Sequence, residues 1–198
     1  MAAATLIDHI LPKYDASEVH ERLMPGSPAA VWEALHAMRM SEVRLAGVLM
    51  SIRSLPRLLQ GGKPVMQSED RPALEVLQRA GFILLDSAPQ QEVVVGAIGK
   101  FWKLSGNTPL RLADRVAFMQ FTQPGYARAV MNFRLVPEAG GTRLVTETRI
   151  AGTDPASTRA FKRYWLLIRL GSGAIRRSWL AGVARRVRTQ AAPGQPAV

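Results

Sequence analysis

The chain has no cysteine. Disulfides, thiolate metal sites and cysteine nucleophiles are therefore excluded. Histidine is scarce: His9, His20 and His36 are the three present. They fall in different expected elements, and none has the spacing of a metal-binding motif such as HExxH. No apolar run approaches the roughly 18 residues that would suggest a membrane span. The N-terminal MAAATLIDHILPK lacks a basic start followed by a sustained apolar run, so no export signal is expected. A cytoplasmic, soluble protein is the expectation. Phosphate-binding loops are missing as well. Gly61-Gly62-Lys63 has the wrong spacing, and Gly96-Ala97-Ile98-Gly99 falls inside an expected strand. Leu170-Gly171-Ser172-Gly173-Ala174 is not G-x-S-x-G, and its helical setting is not that of a nucleophile elbow. These absences leave no recognisable catalytic centre, no metal site and no expected cofactor.

What is present suits a single domain over residues 1–188, followed by a disordered tail at 189–198 (TQAAPGQPAV). Of the 198 residues 47% are apolar, enough for a sizeable core. The formal charge is +11. That excess fits either an anionic partner or basic residues coating solvent-facing surfaces.

The organising stretch runs from Asp154 to Arg188 and contains no acidic residue after Asp154. Phe161, Trp165, Ile168, Ile175 and Trp179 step by three, four or seven and share one face of a helix, with Val183 close to it. Arg159, Lys162, Arg163, Arg169, Arg176 and Arg177 lie mostly away from that stripe. Asp154-Pro155 is a start signal, the carboxylate capping early N–H groups and the proline losing nothing at the first helical position. Gly171-Ser172-Gly173 is the weak point. Each glycine costs about 1 kcal/mol relative to alanine, so a kink or a break is expected there, with the phase favouring a kink.

Upstream, the sequence predicts a short helix at Thr5–Leu11 and a strand at Ala16–Met24 with Val19 and Leu23 on its buried side. A capped helix follows from Ser27-Pro28 through Val31, Trp32, Leu35 and Met38. A second helix starts at Ser41 and contains Val43 to Ile52, either buried or acting as a cover over a ligand space. A third opens at Pro72 and stops at Gly81. Strands are expected at Phe82–Asp86 and Glu92–Phe101, then one or two helical turns within Leu112–Phe121. Tyr126–Val136 and Thr142–Ala151 then form the clearest hairpin. In it Ala129, Met131, Phe133 and Leu135 face one way with Leu144, Thr146, Thr148 and Ile150. The result is an α+β pattern: an antiparallel sheet burying a face under a long terminal helix.

On ERLMPGSPAAVWEAL, YARAVMNFRLVPEAGGTRLVTETRI and DPASTRAFKRYWLLI, the chain resembles the START-like, helix-grip superfamily, also called SRPBCC or polyketide-cyclase-like. The combination FW, PGYA, NFR, TETR and FKRYWLLIR–GSG–IRR is similar to a bacterial subgroup within it. The resemblance spans most of residues 16–188. It implies a curved antiparallel sheet wrapped around the C-terminal helix, with extra helices inserted at about 41–80. It also implies a cavity between sheet and helix that takes a small hydrophobic molecule, lipid or polyketide-like. The motifs specify fold and subgroup, not a reaction.

Within that frame the candidate ligand-binding residues are Trp102, Met131, Phe133, Thr146, Thr148, Trp165, Ile168 and Ser172. Thr146 and Thr148 would be hydroxyls on an otherwise apolar inner face. They either find cross-strand partners or orient a ligand. The alternative partner is an anionic membrane surface, met by the basic helix. Nucleic acid is the weaker branch, because no basic strand pair interleaved with aromatics is present.

Overall fold

The computed structural model describes residues 4–43, 71–103 and 109–191. Five strands form one antiparallel, open, curved sheet in the order β1-β5-β4-β3-β2. These are β1 (Ala16–Met24), β2 (Ile83–Ala88), β3 (Glu92–Gly99), β4 (Ala127–Glu138) and β5 (Gly141–Gly152). Among the described residues, five α-helices accompany them: α1 (Leu6–Ile10), α2 (Pro28–Ala37), α3 (Ala73–Arg79), α4 (Arg115–Met119) and α5 (Pro155–Ala191). The helix expected from Ser41 through Ile52 lies outside the described residues, apart from a single 3-10 turn at Met40–Glu42.

The hairpin forms in the expected register, with Met131 opposite Thr148 and Leu135 opposite Leu144. Val93, Val95, Met131, Phe133, Leu135 and Leu144 line the inner face. On it pack Val31, Leu35 and Met38 from the α2 side, together with Trp179, Leu180, Val183 and Val187 of α5. The opposite face is covered too. Ile7, Ile10 and Leu11 around α1, with Phe118 of α4, pack on Leu85, Val94, Ile98 and Val130. This double cover explains why β3 is valine-rich without alternation, since every one of its residues is buried.

α1 is held to the sheet by a buried carboxylate. Glu92 accepts from the N–H groups of Leu6 (2.8 Å) and Ile7 (3.3 Å) and from Asn132 Nδ2 (2.6 Å). The free donors of the first helical turn are thereby satisfied.

Two expectations are corrected. Val19 and Leu23 are 52% and 43% exposed, so the buried side of β1 is the other one. Their neighbours across the ladder, Glu147 and Arg143, belong to the outer face. The inner side of β1 instead carries Glu18 and His20, opposite Thr148 and Thr146. The terminal helix also runs three residues further than expected, so Thr189 to Ala191 are helical and not part of a tail.

α5 is continuous through Gly171-Ser172-Gly173, with no break. The triplet serves close approach. A Cβ on Gly173 would lie 2.7 Å from Glu18 Oε1 and 3.1 Å from His20 Nε2, so any larger residue would have to displace those side-chain ends.

Candidate functional site

The candidate residues from the sequence fall mainly on the inner sheet face and on α5, a helix anchored at both ends. At the start, the Asp154 carboxylate accepts from the N–H groups of Ala156 (2.8 Å), Ser157 (3.0 Å) and Gly125 (2.6 Å) and from the Ser157 hydroxyl. The Ser157 hydroxyl, then the Gly125 N–H, hold this carboxyl well below the usual carboxylate range. One side chain thus caps α5 and ties it to the turn before β4. At the far end, Arg186 forks onto the Glu42 carboxylate at 2.8 Å, and Arg185 donates to the Glu42 carbonyl at 2.9 Å. Burial would raise the Glu42 carboxyl, but the Arg186 hydrogen bond and the Arg39 N–H outweigh it and the carboxyl is held low.

Between these anchors the apolar packing on the inner face divides into two clusters. One gathers around Phe161, which meets Ala127 and Ile150 with Trp165 and Trp102 alongside. The other gathers around Trp179, whose ring lies 5.1 Å from that of Phe133. Trp165, Ile168 and Ser172 share the phase of Phe161 and Trp179 but are only half-buried, whereas Phe161 and Trp179 are buried. Burial along the helix is thus complete at Phe161 and Trp179 and partial at Trp165, Ile168 and Ser172, while Gly173, between the two clusters, sits close on β1.

Several polar groups are buried between sheet and helix. Thr146 is 1% exposed, and its Oγ1 has no hydrogen-bond partner. The same holds for Trp179 Nε1 and Glu18 Oε2. His20 Nε2–H donates to Glu18 Oε1 at 2.9 Å. Arg176 is half-buried. Burial pulls its pKa down to about 10, with the Glu18 charge opposing that shift. Buried polar atoms in folded proteins almost always have partners. Thr146 Oγ1, Trp179 Nε1 and Glu18 Oε2 thus leave two donors and two acceptors unpartnered between sheet and helix, counting the threonine hydroxyl as both.

Of the eight candidates from the sequence, Met131, Phe133, Thr146 and Thr148 are brought together on the inner face of the hairpin. Ile168 and Ser172 stand half-buried on the helix between the two clusters, and Trp165 belongs to the Phe161 cluster, with its ring 5.7 Å from Phe161. Trp102 lies apart from the threonines. It packs at the base of α5 and lines a shallow, open pocket of about 450 Å³ with Lys103, Pro124 and Ala160. Sequence reasoning did not place Glu18, His20 or Arg176 in the site, and it read Trp179 as packing alone. The available signal was the parity of β1: Ala16, Glu18, His20 and Met24 share one side, and buried Met24 ends it.

Among the described residues, no cluster of three or more metal-ligating side chains occurs. Nor is any described helix long and apolar enough to cross a membrane.

No family model matches the chain, and no curated protein does. Solved structures give distant likenesses. A protein from Mesorhizobium loti is 17% identical, covering 86% of this chain and 98% of its own, with a TM-score of 0.37. An uncharacterised protein from Rhizobium leguminosarum is 12% identical over 86% of this chain and 95% of its own, at 0.38. Ara h 8.0201 is 10% identical over 88% of this chain and 98% of its own, at 0.28.

Proposed function

We propose that the protein binds a small, mainly hydrophobic molecule with a polar end, lipid-like or polyketide-like, between the sheet and the middle of α5. The observation that carries this reading is the group of unpartnered buried atoms between the sheet and α5: Thr146 Oγ1, Trp179 Nε1 and Glu18 Oε2. Leaving such atoms unpaired costs about 1–3 kcal/mol each, so a ligand that meets them recovers that cost on binding. The apolar part of the molecule would lie against Met131, Phe133 and Ile168. The half-buried stretch between the two clusters provides the way in. Nothing in this arrangement requires a reaction. Glu18 and His20 hold each other through one hydrogen bond.

Native mass spectrometry of the protein purified from its own host tests this reading. A reproducible bound apolar mass is expected, lost when Thr146 is changed to Val together with Trp179 to Phe. Wild-type protein that carries no bound mass and does not take up fluorescent fatty acids would rule the reading out.

A further inference from the structure

We infer that the outer face of α5 is a docking surface for an anionic lipid bilayer. Leu166, Leu167 and Leu170 are 69%, 82% and 81% exposed, the largest exposures among the apolar side chains described. They are neighbours on one helix face, directed away from the sheet. Stepping by three, four and seven, that face continues to Arg159 and Arg163 before them and to Arg177 after them, with Arg169 at its border. All four arginines are exposed, and none is ion-paired with a described residue.

The charge selects the occupant. Residues 155–198 hold nine arginines and lysines and no acid. A second copy of the same helix would bring like charges together across the leucines, so self-association is opposed. An anionic bilayer meets both halves of the pattern: the leucines enter the headgroup–acyl boundary while the arginines reach phosphates on either side. The helix would lie on the surface, since no described helix is able to span. This inference does not depend on ligand binding between sheet and helix.

Vesicle co-sedimentation of the full chain tests it. Binding is expected to vesicles of phosphatidylcholine mixed with phosphatidylglycerol, not to phosphatidylcholine alone, and it should weaken as salt is raised. Replacing Leu166, Leu167 and Leu170 together by Gln should lower binding more than tenfold. Arg163→Gln and Arg169→Gln should each lower it by roughly fivefold. These side chains are exposed, so the variants should melt as wild type does. The inference is overturned if wild type ignores anionic vesicles, if the leucine variant binds as well as wild type, or if light scattering finds a dimer that the leucine changes dissolve.

Discussion

His20 stands opposite Thr146 across the β1–β5 ladder, with its Nε2 held by Glu18 at 2.9 Å and Gly173 pressed against both members of that pair. The edge strand therefore contributes polar side chains to the gripped face, and a glycine in the covering helix makes room for them. Gly173→Ala sets a gain against a loss: about 1 kcal/mol of helix propensity against displacement of the Glu18 carboxylate and His20 ring. The melting temperature should stay within about 4 °C of wild type, while the His20 ring resonances shift in NMR. Gly173→Leu cannot be absorbed by moving side-chain ends, and it should cost about 1–3 kcal/mol in urea unfolding.

Thr146→Val offers a sharper test of the open polar atoms. The hydroxyl has no partner, so its removal at nearly constant shape should leave the ligand-free protein as stable as wild type or slightly more so. A loss of more than about 1 kcal/mol in chemical denaturation would mean that the hydroxyl is already satisfied. Trp179→Ala, by contrast, should cost about 3–5 kcal/mol, because it empties the contact with Phe133.

Glu92→Gln should loosen the N-terminal helix. A carboxylate accepts all three of the hydrogen bonds it receives from Leu6, Ile7 and Asn132. An amide would turn a donor towards one of those donors. A cost of about 1–3 kcal/mol is expected, with faster proteolytic clipping near residue 10.

Asp8 gives a pH dependence of defined sign. The Thr5 N–H, then the Thr5 hydroxyl and Arg149, hold its carboxyl down to about 2. A carboxyl depressed in the folded state stabilises above its unfolded value of 3.8 and loses that contribution as pH falls towards about 2. Thermal melts taken between those two values should fall with acid, and Asp8→Asn should flatten the slope in that window. An unchanged slope in the variant would assign the acid sensitivity to other carboxylates such as Asp154.

Much of this architecture is readable in the chain, for identifiable reasons. The stripe from Phe161 to Trp179 has one helical phase, and the Met131–Phe133 and Thr146–Thr148 alternation has one strand parity, so the helix, the hairpin and the inner threonines follow directly. β1 does not, because parity was assigned from its two apolar residues. Val19 and Leu23 lie on the outer side of an edge strand, and the side facing the helix is polar. With that parity reversed, Glu18 and His20 dropped out of the expected site. Trp102, expected among the ligand-binding residues, packs instead beside Phe161 near the start of the helix.

The terminal helix is fastened near residue 154 by one carboxylate and near residue 186 by another, with about 48 Å of helix between the two fastenings at 1.5 Å per residue. A rod clamped at both ends yields at mid-span. Amide exchange along α5 should therefore run opposite to ordinary fraying, slow beside Ser157 and Ala184 and fastest around Leu167 to Ser172. Any widening of the space over Thr146 would then come from the helix bowing outward, with both of its ends still in place.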